Sequence, residues 1–286
     1  MNIQIPTLKL NNGIIIPQIG FGAAIFPKEK AGKACEDALK IGYRHIDTAH
    51  GYGNEILVGE AIRNSGIPRE EIFLTSKLGY NELGEGLTAK AIDRMLNRFK
   101  LDYIDLVLIH WPLGDFVGGW KDMEKAVEQG KIRSIGLSNF YDEDLQKILD
   151  ICKIKPVVDQ VECYPYFPQN KLRKQLKEIN CYIEAYSPIG RGNKELFNEK
   201  ILVDLSKKYN KSVPQVILRW HVDKDNIIFP KSTKPEHMKD NLNIFDFKLT
   251  EDEINEIDKL EKKIDFKEYF EERKKENLER TVSLED

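Results

Sequence analysis

The feature that most restricts the fold is an alternation of short apolar runs with longer stretches of helical periodicity. It repeats eight times without a linker or low-complexity tract. Strands are expected at 19–22, 45–47, 72–77, 104–110, 132–138, 157–161, 182–186 and 227–229. Between them, apolar residues recur at helical spacing, as in Ile92, Met95, Leu96 and Phe99, or Leu145, Ile148, Leu149 and Cys152. The run from Ile104 to His110 is nearly all apolar, as in parallel strands covered on both faces. Ahead of the repeat, Leu8 to Ile16 reads as a hairpin turning at Asn12-Gly13. Beyond it come a helix at 235–242 and another opened by a Thr250/Glu253 capping box. A charged helical tail follows from about 264, with Phe266, Tyr269 and Phe270 as its apolar anchors. Its Glu271 to Lys275 run reads as a solvated face. The pattern predicts a (β/α)8 TIM barrel in one domain over 1–286, with an N-terminal hairpin and extra C-terminal helices. A doubly wound sheet is the alternative, but no GxGxxG follows the first strand, and Gly20-Phe21-Gly22 is too short for one.

Composition narrows the partners. A net charge of −3 offers no basic field for nucleic acid or an anionic membrane. No apolar run is long enough to span a bilayer, and Met1 to Pro6 lacks the pattern of a signal peptide. Cys35, Cys152, Cys163 and Cys181 form no CxxC pair and no metal-like spacing with histidine, so no metal site is expected. The expectation is a monomeric cytoplasmic enzyme acting on a small molecule.

In such a barrel the active site lies at the C-terminal ends of the strands. Those ends carry Asp47, Lys77, His110, Ser138-Asn139, Gln160 and Tyr186, and Lys231-Ser232 follows the last strand. Tyr52 lies five residues beyond Asp47, on the loop above it. Asp47 has two readings: a carboxylate holding a cation, or a turn residue capping the next helix. The first gives a mechanism. Asp47 keeps a desolvated Lys77 protonated, and the ammonium favours Tyr52 phenolate, making the tyrosine a usable acid near neutral pH. A neutral His110 would orient the incoming oxygen. Such a site protonates a carbonyl oxygen while hydride reaches its carbon, and hydride requires a nicotinamide or flavin. Ser138, Asn139 and Gln160 suit a carboxamide, and Tyr186 offers a stacking face. Lys231-Ser232 before a helix N-terminus suits a phosphate.

The motifs GYRHIDTA with YGNE, LTSK, LIHWP, IGLSNF, DQVECYPY, AYSPIGRG and PKST make the chain resemble the aldo-keto reductases, particularly shorter microbial members that reduce aldehydes and ketones. The resemblance implies a catalytic tetrad at Asp47, Tyr52, Lys77 and His110, with Tyr52 the proton donor. It implies cofactor contacts at Gly22, Ser138, Asn139, Gln160, Tyr186, Ser187, Lys231, Ser232, Thr233, His237 and Asn241. It also implies a substrate pocket touching Ala24, Trp111 and Tyr164. The cofactor it implies is NADPH, with NADH a weaker alternative. His237 stands where relatives carry an arginine, which narrows the expected NADPH margin, and Asp240 replaces a glutamate. Ala24 and Tyr164 replace an aromatic residue and a histidine, which changes pocket shape. A non-catalytic nucleotide-binding regulator on the same fold and a Schiff-base lyase using Lys77 are the competing functions.

Overall fold

The computed structural model describes residues 4–25, 27–263 and 266–282. Thr7–Lys9 (β1) and Ile15–Pro17 (β2) pair antiparallel, with Gly13 at φ +88° supplying the turn between them. Eight parallel strands follow: Phe21–Gly22 (β3), His45–Asp47 (β4), Phe73–Leu78 (β5), Ile104–Ile109 (β6), Ile132–Ser138 (β7), Val158–Glu162 (β8), Tyr182–Tyr186 (β9) and Ile227–Ile228 (β10). Each pairs with the next, and β10 returns to the start through an Ile19–Ile228 bridge. Two backbone bonds, Gly20 N–H to Ile228 O and Ile228 N–H to Gln18 O, close the barrel there.

Side-chain alternation along each strand divides the core into two parts. Outward residues such as Val107, Ile135 and Val161 pack under the helices in one large apolar cluster. Inward residues fill the barrel in layers, as closed parallel barrels require. Leu10 and Ile16 of the hairpin join Phe73, Leu106, Leu108, Val158 and Phe229 in a second apolar cluster. Above it His45 meets the Thr75 hydroxyl at 2.9 Å, and burial holds this imidazole down to about 3, so it stays neutral. The next inward positions on β4, β5, β8 and β9 are Asp47, Lys77, Gln160 and Glu184, all buried. Hydrophobic packing below therefore carries a polar layer that water does not reach.

The capping box at Thr250 forms as expected, opening the helix Glu251–Asp258. The tail is a helix, Phe266–Val282, solvated at Glu271, Glu272 and Lys275 as expected but half-buried at Arg273 and Lys274. Phe270 packs against Trp111 and Tyr141, with ring centroids 5.8 and 5.3 Å apart. The Tyr269 hydroxyl donates to Glu162, and Arg273 approaches the same carboxylate at 3.8 Å. The Arg273 guanidinium lies 5.4 Å from the Tyr269 ring centre and the Lys274 ammonium 4.5 Å from that of Phe270, cation–π contacts within the helix. The side chain of Phe266 lies outside the described residues.

Candidate active site

Asp47 and Lys77 come from adjacent strands whose Cα register pairs Asp47 with Thr75, two residues below Lys77. The long lysine side chain lies wholly buried, and its ammonium donates to both Asp47 oxygens at 2.8 and 2.7 Å. A third bond goes to the Thr48 carbonyl at 2.9 Å. Burial alone would favour the neutral amine, but Asp47, then Tyr52 and Glu184, outweigh it and hold the lysine above its ordinary value. Asp47 thus faces into the barrel and caps no helix. The N-cap position of the following helix, Glu55–Asn64, is Asn54, whose side chain makes no capping bond.

The loop between carries Tyr52 at the end of a 3-10 turn, His50–Tyr52, with Gly53 at φ +63° reversing the chain. Buried side chains pin it on both sides: Thr48 donates to Asn54 at 2.6 Å, and Asn54 donates to the Ala23 carbonyl at 2.7 Å. The Lys77 ammonium lies 5.4 Å from the centre of the Tyr52 ring. His110 presents its edge to that ring at a centroid distance of 6.0 Å. Burial, reinforced by the Lys77 charge, pushes His110 down to about 3, so its imidazole is neutral through the physiological range. These four side chains, from β4, its loop, β5 and the end of β6, converge at one end of the barrel.

Beside them, the Ser138 hydroxyl donates to the Gln160 backbone carbonyl at 2.9 Å, and Asn139 sits at φ +63°. The Asn139 amide is engaged at both ends: it donates to His110 O and Ser138 Oγ and accepts from the Tyr186 hydroxyl at 3.0 Å. Gln160 lies inside β8, which continues to Glu162, and not at its tip. Its Nε2 donates to Asp47 at 2.9 Å and to Glu184 at 3.0 Å. Its carbonyl end accepts nothing among the described residues, which leaves that end for a ligand.

Ser187, at φ +51°, starts the turn after β9, and Arg191 lies within that turn. Partial burial and the neighbouring Arg191 charge hold Lys231 below the ordinary lysine value. Arg191 also bonds the Glu162 carboxylate at 3.2 Å, and a pair of cationic side chains in one neighbourhood suits an anion such as a pyrophosphate. The Lys231 ammonium meets the Ala24 carbonyl at 2.8 Å, and a Cβ at Gly22 would come within 3.1 Å of Phe229 O. Ser232, Thr233 and His237 gather at the N-terminus of the helix Pro235–Leu242, where Ser232 accepts from Lys234 N–H. Asn241 is on the same helix, against the Tyr43 hydroxyl. Trp111 directly follows His110 beneath Phe270, and Tyr164 packs over Gly190. Arg191 and Glu184 belong to this end of the barrel and were not singled out from sequence, and Phe270, expected only as an anchor of the tail, lies here too. A carboxylate in the run Tyr182-Ile183-Glu184-Ala185-Tyr186 was the available signal.

The family model described as "Aldo/keto reductase family" matches residues 18–262. Glyoxal reductase of Bacillus subtilis is 42% identical over 260 residues, covering 90% of this chain and 93% of that protein. The crystal structure of an aldo/keto reductase from Brucella melitensis superposes with a TM-score of 0.86 at 42% identity, over 90% of this chain and all (100%) of that one. A Bombyx mori aldo-keto reductase, solved in complex with NADP, gives 0.86 at 32% identity, over 93% and 97%. The chain belongs to the aldo/keto reductase family and is an oxidoreductase of that family. The C-terminal helix lies beyond the matched residues.

Proposed function

We propose that the protein reduces small aldehydes and ketones to alcohols, with NADPH as hydride donor and Tyr52 as proton donor. The observation that carries this reading is the Lys77 ammonium, fully buried, clamped by Asp47 and 5.4 Å from the Tyr52 ring. A carbonyl oxygen placed between Tyr52 and His110 gains negative charge as its carbon is reduced. Tyr52 gives that oxygen its proton, and the fixed ammonium stabilises the phenolate left behind. The neutral His110 ring donates a hydrogen bond to the same oxygen and selects its orientation. NADPH, when bound, supplies the hydride.

The residues present fit that cofactor. The side-chain carbonyl of Gln160 would accept from the nicotinamide carboxamide, while its Nε2 stays on the two carboxylates. Ser138 and Asn139 would hold the same group, and Tyr186 would offer a stacking face. Arg191 and Lys231 would hold the pyrophosphate, and Ser232, Thr233 and His237 the 2′-phosphate at the helix N-terminus. Gly22 leaves backbone room, and Ala24, Trp111 and Tyr164 border the substrate. Dicarbonyls of the kind named for the Bacillus relative are the first substrates to test. The raised pKa of Lys77 disfavours Schiff-base chemistry, since an ammonium has no lone pair to attack with.

Loss of NADPH absorbance with glyoxal and with larger carbonyls tests the reading. Tyr52→Phe is expected to slow reduction by about 10²–10⁴-fold while cofactor still binds. A Tyr52→Phe protein with wild-type turnover would remove Tyr52 from the mechanism.

A further inference from the structure

Glu184 is a charged residue type in the centre of β9, wholly buried and pointing into the barrel. The Cα register pairs it with Gln160 on one side and Ile227 on the other. One of its oxygens, Oε2, accepts from Gln160 Nε2 at 3.0 Å, and the other has no hydrogen-bond partner among the described residues. Leaving a carboxylate oxygen buried and unpaired is costly, so packing alone does not explain an acid here. The same Gln160 nitrogen donates to Asp47 Oδ2 at 2.9 Å, and Asp47 clamps Lys77. A continuous chain therefore runs from Glu184 through Gln160 and Asp47 to Lys77, which faces Tyr52.

We propose that Glu184 is a positioning residue of this site: through Gln160 it sets the charge balance at the Asp47–Lys77 pair and so the pH range in which Tyr52 can donate its proton. This rests on the reductase reading above. The groups around Glu184 explain why it can do so. From β4 comes the carboxylate Asp47, from β5 the ammonium Lys77, and from β8 the amide Gln160 with the buried acid Asp159. Cys181 precedes it on its own segment, and burial keeps that thiol protonated. Lys77 is the one positive charge in this set, and Asp47 already neutralises it.

As the neutral acid, Glu184 accepts from Gln160 without adding charge. As a carboxylate it adds a second negative charge beneath the tetrad. That charge binds the Lys77 proton more tightly and opposes phenolate on Tyr52, which makes Tyr52 a weaker acid. Burial first, then Asp47, pushes Glu184 up to about 8, against the hydrogen bond from Gln160 and the Lys77 charge, which favour ionisation. The neutral acid is therefore the form present at neutral pH, and the change comes in mildly alkaline solution.

Glu184 also orients Gln160. With Nε2 held between Asp47 and Glu184, the amide carbonyl is the end left for a cofactor carboxamide, which it would accept from.

The test compares kcat/KM for carbonyl reduction by wild type and Glu184→Gln from about pH 6 to about pH 9.5. The glutamine keeps an acceptor for Gln160 and carries no charge at any pH. Ionised Glu184 keeps Tyr52 protonated to higher pH in wild type, so the ratio of variant to wild type is expected to fall with pH by up to about tenfold, the effect of one unit of coupled pKa. A ratio constant across the range would overturn the proposal.

Infrared spectroscopy reads the acid without turnover. Wild type at about pH 6.5 should show a protonated carboxylic-acid carbonyl band that fades toward about pH 9.5 and is missing in Glu184→Gln. Among the described residues Asp159 is the other fully buried acid with an unpaired oxygen, and Asp159→Asn identifies its band if the glutamine variant does not fold. No band beyond that of Asp159 means an ionised Glu184 and overturns the proposal alone. The Glu184 band with no reduction of any carbonyl would sink the reductase reading, and with it the proposed effect on Tyr52.

Discussion

Asp47→Asn isolates the electrostatic core of the site. Lys77 is wholly buried, and two of its three hydrogen bonds, at 2.7 and 2.8 Å, go to the Asp47 carboxylate. The substitution keeps the shape and removes the charge, leaving the ammonium with the Thr48 carbonyl at 2.9 Å and a neutral amide. Removing one partner of a buried ion pair costs about 3–5 kcal/mol, because the remaining charge stays desolvated. At a urea m-value of about 3 kcal/mol per molar for a chain of this size, the midpoint should fall by roughly 1 M or more at pH 7. The pH dependence carries the sharper signature. In wild type the folded lysine lies above its unfolded value, so its contribution is lost only in strongly alkaline solution. Without Asp47, burial dominates and the folded value falls below the unfolded one. Stability of the variant then rises with pH between neutrality and the ordinary lysine value of roughly 10.4, as the amine sheds its proton. Urea unfolding followed by fluorescence at about pH 7 and about pH 9.5 should show the gap to wild type closing. Reduction should fall as well, since an uncharged amine no longer favours the phenolate. A variant as stable as wild type at pH 7, or a gap independent of pH, would refute this assignment.

Two further substitutions probe specificity. Ala24→Trp, beside the Lys231 contact at the exit of β3, should reduce kcat/KM for bulky carbonyls more than for glyoxal; equal losses would place Ala24 outside the pocket. His237 is exposed in the first turn of its helix, and His237→Arg adds a permanent bidentate charge toward a 2′-phosphate. The NADPH-to-NADH ratio of dissociation constants, read by fluorescence quenching, should widen by up to about tenfold, with solvent exposure limiting the gain. An unchanged ratio would mean that position 237 does not face the phosphate.

The barrel was legible because its strands are short, apolar and evenly separated, and strand parity alone turns Asp47 and Lys77 inward. His45 shares that parity with Asp47, and Thr75 with Lys77, so the polar layer above a neutral His45–Thr75 pair was implicit in the sequence. Gln160 was expected at a strand end. It lies within β8 because that strand runs on to Glu162, and there its amide is committed to two carboxylates before any ligand arrives. Glu184 went unnoticed although it alternates with Tyr182 and Tyr186, the same parity that exposed Asp47. Its partners lie on strands distant in sequence, and only the closed barrel brings them together. The C-terminal helix was legible in part. Tyr269 and Phe270 anchor it, and Glu271, Glu272 and Lys275 are exposed, while Arg273 and Lys274 are mostly covered, at 24% and 19% side-chain exposure, with their charges over the Tyr269 and Phe270 rings. Cys35, Cys163 and Cys181 are the buried hydrophobes that their scatter suggested, and Cys152 is half-buried.

The proposed reaction is tested most directly by isotope transfer. NADPH carrying deuterium at the transferable C4 position is incubated with glyoxal and enzyme, and the product alcohol is analysed by mass spectrometry and NMR. One deuterium should appear on the new carbinol carbon and none should appear with Tyr52→Phe over the same turnover time. Alcohol formed without deuterium, or equal labelling by the Tyr52→Phe protein, would contradict hydride transfer from NADPH coupled to proton donation by Tyr52.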